Sequence, residues 1–197
     1  MKTGHYVLIG FVVVILLSVF SVIGSYNSMV SKDEGVSSAW SQVENVYQRR
    51  SDLIPNLVAT VKGYASHEKE TFTAVIEARA KATQTKIDIS NVNPAMIQKF
   101  QAAQDGLSSA LSKLMVVVEK YPELKANENF RDLQAQLEGT ENRIAVERRK
   151  FNETCQDYNT YIKKFPRVLF AGMFGFEQRP YFKAEEGAEK VPTVSFD

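Results

Sequence analysis

The sequence predicts an all-α protein: a single N-terminal transmembrane helix followed by a long antiparallel up-and-down helical bundle of the four-helix type. Three observations lead to this prediction. Residues 6–24 hold no charged side chain, and apolar residues after position 36 recur at steps of four and three. Only 10 Gly and 6 Pro occur among the 197 residues. Such steps place apolar side chains on one face of a helix, and few helix breakers favour long helices.

The stretch YVLIGFVVVILLSVFSVIG at residues 6–24, after a short flank at residues 1–5, predicts the transmembrane helix. About 18 residues rising 1.5 Å each span roughly 27 Å, which is enough to cross the hydrocarbon core. The alternative is a cleaved signal peptide, because Val22 and Gly24 are small enough for a cleavage site. The stretch exceeds the length of a typical signal core, which favours an uncleaved span. The residues assigned to it include Tyr6, Val7, Leu16 and Ile23.

The orientation of this span is nearly unreadable from the charges beside it. Lys2 and the terminal amine precede it, and Lys32 follows it next to two acidic residues. The positive-inside rule leans slightly toward a cytoplasmic N-terminus. The side of the membrane that bears the bundle therefore stays open.

A polar join at residues 25–35 separates the span from an apolar seam that runs from Val36 to Tyr64, with Arg50 as its one polar member. The seam keeps its phase across Pro55. A break would usually reset the phase, so we predict a kink at Pro55 in a continuing helix, with nearby polar side chains such as Ser51 satisfying the freed backbone groups.

Two local alternatives remain open in this region. Asp52 could cap a new helix that has Pro55 in its first turn. Gly63–Ser66 permit a turn without requiring one, so the bundle has three very long helices or four.

Clear signals delimit the later helices of the predicted bundle, which covers residues 36–165. Asn93 followed by Pro94 marks a helix start, and Pro122 stops that helix. Asn127 is the expected cap of the last and longest helix, which runs to Phe165–Pro166. Short connections between such helices force antiparallel neighbours.

Polar residues on the last helix are expected to serve packing. Glu147 lies at a seam position, and an ion pair with Arg143 or Arg148 would fix the register there. Asn152 and Asn159 are seven residues apart and share one helix face. Such residues most often fix register or satisfy loop backbone, and a ligand site is the alternative.

Composition and motifs give no support to most kinds of chemistry. Lys+Arg is 24 against Asp+Glu 23, so the net charge of +1 shows no nucleic-acid footprint. The one cysteine, Cys155, excludes an intrachain disulfide and is expected to be a small buried hydrophobe. HEKET at His67–Thr71 begins like a zinc-protease helix, but the second histidine position holds threonine. We therefore predict a non-enzymatic protein without a cofactor or metal, with His67 on the surface.

The C-terminal region, residues 166–197, contains an aromatic stretch that follows the last helix. This stretch either packs as a lid on the end of the bundle or exposes an apolar surface to a partner or the bilayer. The tail KVPTVSFD after it reads as extended, able to add a strand to a partner sheet or to fray. The candidate partner-surface residues are Phe170, Met173, Phe174, Phe176, Tyr181 and Phe182.

Several strings of residues resemble the LemA family: YNSMV after the span, then AWSQVENVYQRRSDLIPNLVATVKGYASHEKETFTAVIEARAKA, PELKANENF, LEGTENRIAVERRKFN and YNTYIKKFP. FGFEQRPYF followed by AEEGA completes the resemblance, which covers residues 26 to about 194. It implies a bacterial membrane-anchored helical bundle with a short external N-terminus, which opposes the charge-based lean. The resemblance supplies no activity. Some members resemble magnetosome-membrane proteins, and others are associated with a heat-shock membrane metalloprotease.

Together these observations predict a single-pass protein of the bacterial inner membrane that acts as a helical scaffold or recruits partners. The alternative is an accessory subunit or adaptor of a membrane protease or of a membrane quality-control system. The expected partners are the lipid bilayer and at least one protein, with no nucleic acid. A homo-oligomer, paired as in a coiled coil, stays open.

Overall fold

The computed structural model describes residues 2–183, with side chains from Gly4 onward, and this part of the chain is helical with no strand. The predicted all-α class is confirmed. The predicted extended tail KVPTVSFD lies outside the described residues. The helices are α1 (Lys2–Tyr64), α2 (Lys69–Gln84), α3 (Pro94–Val118), α4 (Pro122–Ala126), α5 (Glu128–Lys163) and α6 (Val168–Ala171).

Helix α1 is continuous through the predicted polar join and through Pro55. Residues 25–35, the predicted join, are helical, and Pro55 lies inside the helix. The predicted continuation of the helix through Pro55 is confirmed, and a separate helix capped by Asp52 does not form. The kink at Pro55 stays a prediction. A turn at residues 65–68 separates α1 from α2, which resolves the alternatives at Gly63–Ser66.

Side-chain caps set the starts of two helices where the sequence predicts them. The Asn93 carboxamide accepts a hydrogen bond from the Met96 N–H, with Pro94 in the first turn. The Asn127 carboxamide accepts from the Phe130 N–H at 3.0 Å. Each cap satisfies a backbone donor that a helix start leaves without an intrahelical acceptor. The segment PELKA, between the predicted stop at Pro122 and the predicted cap at Asn127, forms the short helix α4.

The chain divides into two compact units. The first comprises residues 1–50 and 136–179. In it the α1 seam packs against the last part of α5, and the Trp40 and Phe151 rings meet edge to face with centroids 5.4 Å apart. Lys32 pairs with Asp157 and Arg50 with Glu141. Partner numbers fall along α5 as they rise along α1, so the two helices are antiparallel.

The second unit comprises residues 51–135 and, of the described residues, 180–183. Five helical segments contribute to it: the end of α1, all of α2, α3 and α4, and the start of α5. Helix α2 packs along α3, and buried aromatic residues from these segments include Phe72, Phe100 and Phe130. Helices α1 and α5 contribute to both units, and the four-helix arrangement of residues 36–165 stays a prediction. At 16 and 25 residues, α2 and α3 reach only about 24 and 38 Å, too short to follow all of α1.

Candidate functional site

The N-terminal part of α1 presents an uncovered apolar surface. An 18-residue window in this helix has a mean hydropathy of 3.0 and none of it is buried. By length and composition, one helix in the described residues is able to cross a membrane. No part of the described chain covers the residues assigned to the span. Their exposed fractions are 71% for Tyr6, 73% for Val7, 51% for Leu16 and 49% for Ile23.

Asp33 and Arg179 form an ion pair in the first unit. Asp33 is nine residues beyond Gly24 in helix α1. The Arg179 Nε donates to Asp33 Oδ1 at 2.9 Å, and its Nη2 donates to Oδ2 at 3.0 Å. Both side chains are largely covered, at 14% and 26% exposure. Two parallel, charge-assisted hydrogen bonds fix both distance and orientation. The pair thereby fastens the chain that follows α5 to helix α1.

The Asn159 side chain of α5 also binds Arg179, through the Arg179 backbone. Its Nδ2 donates to the Arg179 carbonyl and its Oδ1 accepts from the Arg179 N–H, both at 2.8 Å. Asn159 is buried, so this paired contact replaces the water that the amide would otherwise bind. The expectation that such a residue satisfies loop backbone is confirmed for Asn159. Asn152 is partly buried one heptad earlier.

Two buried titratable groups lie beside this ion pair. Burial raises the pKa of the Cys155 thiol to about 12, with Arg179 lowering it and Asp33 raising it to smaller extents. Burial and then the Asp33 carboxylate raise the pKa of the Tyr158 phenol to about 12. A thiol in this state is protonated at neutral pH and is a poor nucleophile. Cys155 is fully buried, as predicted.

An aromatic cluster marks the end of the apolar helix. The Tyr26 ring meets the Phe174 ring edge to face, with centroids 5.1 Å apart, and the Phe176 ring at 5.7 Å. Tyr26 lies two residues after Gly24. The segment after α5 therefore returns to the level at which the apolar stretch ends.

The predicted partner-surface residues differ in their exposure. Met173 and Phe174 are exposed, and Phe170 and Phe176 are partly buried, all in the first unit. In the second unit, Tyr181 is exposed, but Phe182 is buried and packs against Phe100 with ring centroids 6.4 Å apart. Phe182 is therefore not available to a partner. The prediction missed three exposed apolar residues next to the first group, namely Phe165, Val168 and Leu169.

Pro55 has a specific partner for the carbonyl that it frees. A proline lacks the N–H that would bond to the carbonyl four residues earlier, here that of Ser51. The Arg79 Nε of α2 donates to this carbonyl at 2.8 Å. The Ser51 and Thr83 hydroxyls also lie 3.1 Å apart. The proline thus creates an acceptor that α2 uses for docking.

Two further buried polar side chains, those of Arg50 and Gln104, also join helices. Arg50 is buried, and its Nη1 donates to Glu141 Oε1 at 2.7 Å. This cross-helix pair, rather than one at Glu147, is the clearest register contact of the first unit. Glu147 pairs with Lys150 one turn along α5 at 2.8 Å. In the second unit the Gln104 amide donates to the Ala82 carbonyl at 3.4 Å.

The remaining candidates for chemistry are dispersed. His67 is exposed, as predicted. Within residues 2–183 no three His, Cys, Asp or Glu side chains are grouped to hold a metal ion. An open depression of about 430 Å³ in the second unit is bordered by Lys81, Lys86 and Lys99. These three amines lie on its rim without a buried polar group.

The sequence model of the LemA family matches residues 39–196, most of the chain. The chain belongs to the LemA family. The resemblance of its strings to that family is thereby confirmed. The matched region holds Arg50, Pro55, Arg79 and Asn159, so the hydrogen bonds that these residues make within each unit fall within the LemA region. Asp33 and the apolar part of α1 precede it.

Curated relatives of this LemA-family chain extend the similarity toward the N-terminus. It is 27% identical to magnetosome protein MamQ 1 of Paramagnetospirillum magneticum over 205 residues, covering 93% of this chain and 75% of that protein. Magnetosome protein MamQ of Magnetospirillum gryphiswaldense is 27% identical over 188 residues, with 86% and 68% covered. Protein LemA of Metamycoplasma hominis is 22% identical over 176 residues, with 89% and 77% covered. The apolar helix and these relatives together indicate membrane association.

Proposed function

We propose that this chain is a single-pass protein of the bacterial inner membrane and acts there as a non-enzymatic helical scaffold that recruits other proteins. One observation carries the proposal: the uncovered apolar part of α1 continues without interruption into a helix whose later residues belong to two packed units. A continuous helix of this kind holds the first unit at a fixed distance from the bilayer. A flexible tether would not do so.

The use of the polar residues supports a structural role. Hydrogen bonds between different segments of the chain are made by Arg50, Asn159 and Arg79. The names of the curated relatives describe a structure, the magnetosome, and name no reaction. Both facts favour a scaffold over an enzyme.

Membrane anchoring is tested by charge substitution within α1. Val14→Arg with Leu17→Arg places two charges in the apolar stretch, at a cost to insertion of about 2.5–3.5 kcal/mol each near the bilayer centre. We expect the variant to leave the membrane fraction on alkaline carbonate extraction. Gln42→Arg with Asn45→Arg is the matched control, since it puts the same charges on exposed positions of the same helix. Equal retention of both variants would count against the anchor.

Recruitment is tested by proximity labelling from the C-terminus in intact cells, which reports the neighbours and the side of the membrane together. We expect a reproducible set of membrane-associated proteins that the Val14→Arg, Leu17→Arg variant fails to label. Recovery of a membrane protease as the main neighbour would favour the adaptor role instead. Turnover of a substrate by the purified chain, abolished by a point substitution, would contradict the scaffold.

A further inference from the structure

The segment between α5 and the Asp33–Arg179 ion pair carries an exposed apolar surface that the scaffold role leaves unexplained. Five of its six large apolar residues are exposed to an extent unusual for a packed domain, with Phe170 the partly buried exception: Phe165 79%, Val168 49%, Leu169 58%, Met173 79% and Phe174 44%. Ala171 between them is buried, so one side of the segment packs while the other stays uncovered. We call residues 165–174 the return segment.

The position of the return segment points to the bilayer as its occupant. Phe174 packs on Tyr26, which is two residues, or about 3 Å of helix, beyond the apolar stretch. If residues 6–24 fill a hydrocarbon core of about 30 Å, Tyr26 lies at its boundary, the level that Tyr and Trp prefer in membrane proteins. The uncovered apolar side chains are thus continuous with the surface of the apolar helix.

The charge of this region fits a lipid surface. Residues 163–175 contain Lys163, Lys164 and Arg167 and no acidic residue. The Arg167 guanidinium stacks over the Tyr161 ring with 3.9 Å between its carbon and the ring centroid. Basic side chains beside an apolar patch suit the anionic headgroups above the acyl chains.

We infer that the return segment is a second membrane contact, which dips into the headgroup and upper acyl region beside α1. The inference rests on the proposed anchoring by residues 6–24. Two contacts would fix the rotation of the first unit about the α1 axis, whereas one helix leaves that rotation free. The ion pair and the Asn159 contact hold the segment in place for this role.

The test uses the full chain in vesicles of phosphatidylcholine and phosphatidylglycerol whose lipids are brominated near the top of the acyl chain. Bromine quenches tryptophan only at close range, and the sole tryptophan, Trp40, is buried in the first unit. Met173→Trp and Leu169→Trp report on the return segment, because both positions are exposed and tolerate a larger side chain. Phe11→Trp reports on the anchor, and Asn45→Trp is the exposed control on the same helix.

We expect bromination to lower the added emission of Met173→Trp and Leu169→Trp by about twofold, since interfacial segments lie about 5–10 Å into the boundary region. Asn45→Trp should match the unsubstituted chain, and Phe11→Trp should be quenched. Quenching of Phe11→Trp without quenching of either return-segment variant overturns the inference and leaves the anchor intact. Absence of quenching for Phe11→Trp overturns the anchor and the inference with it. Circular dichroism of each variant verifies the helical fold.

Discussion

Arg79 explains how a proline is accommodated inside α1. The Ser51 carbonyl belongs to a buried residue, and without a donor it would cost free energy comparable to a lost hydrogen bond. The Arg79 guanidinium supplies this donor from another helix. The effects of Pro55 and Arg79 on stability are therefore coupled, although the two residues are 24 positions apart in the sequence.

Substitution of Arg79 should be costly only when the proline is present. We expect Arg79→Met to lower the free energy of unfolding by about 1–2 kcal/mol, because it removes a charged donor from a buried carbonyl. In a Pro55→Ala background the backbone N–H at position 55 can bond to the Ser51 carbonyl, so the same change should cost clearly less. Urea unfolding of the four chains in detergent, followed by circular dichroism, measures the difference.

Arg49→Met is the control for this pair, since it removes an exposed guanidinium one residue from the first unit's Arg50. It should change stability little in either background. An equal cost of Arg79→Met with and without the proline would contradict the role assigned to the Ser51 carbonyl.

Cys155 should make the fold sensitive to alkali. Its pKa is about 12 in the folded chain against an ordinary value of 9.0, so the folded state holds the thiol proton more tightly. The contribution of this tighter proton binding to the free energy of unfolding is complete below pH 9 and is lost as the pH rises toward 12. The loss is at most about 1.4 kcal/mol for each pH unit.

Cys155→Ala should reduce the fall in unfolding free energy from pH 9 upward, measured by urea titration at successive pH values. Tyr158→Phe should reduce it from pH 10 upward, because the phenol titrates between its ordinary 10.0 and about 12. Identical pH dependence in the three chains would show that burial does not perturb these groups.

At the scale of elements, the caps and the seams were readable from sequence because they are local. Asn93 and Asn127 act within one helical turn, and apolar residues at helical spacing need no knowledge of their partners. The contacts between distant segments were not readable. Asn159 stood out as a polar residue on a packed face, but its partner Arg179 lies in a segment without periodicity.

The aromatic stretch after α5 illustrates the same limit. Periodicity assigns a face only inside a helix or strand, and most of residues 172–183 has neither. Composition alone therefore could not distinguish Phe182, which packs on Phe100, from Met173, which is exposed.

Loss of the Asn159 contact should release the segment after α5. Asn159→Ala removes both hydrogen bonds to the Arg179 backbone, and we expect trypsin to cut after Arg167 about tenfold faster, equivalent to about 1.4 kcal/mol of lost hydrogen bonding. Asn152→Ala is the matched control on the same helix face and should leave cleavage nearly unchanged. Limited proteolysis with mass spectrometry gives the rates, and equal acceleration by both variants would assign the effect to α5 as a whole.

At the scale of the whole molecule, α1 joins the membrane question to the fold question. One helix of 63 residues contains the apolar stretch, the seam of the first unit and the proline of the second. The sequence pattern separated these parts by a polar join at residues 25–35. The join is helical, since its polar residues interrupt the hydrophobic pattern without interrupting the backbone hydrogen bonds.

This continuity predicts that the N-terminal segment stays on the mature protein. Cleavage after Gly24 would require a protease to cut within a helix, whereas proteolytic sites concentrate in exposed, irregular backbone. Removal would also take away the helical turns that precede Tyr26. Tyr26 would then lie at the start of the chain, where it would support the return segment less firmly. We expect mass spectrometry of the protein purified from membranes to recover peptides from residues 1–24. A mature chain that begins at Ser25 would show that the apolar stretch is a signal peptide, and the first unit would then have no anchor in α1.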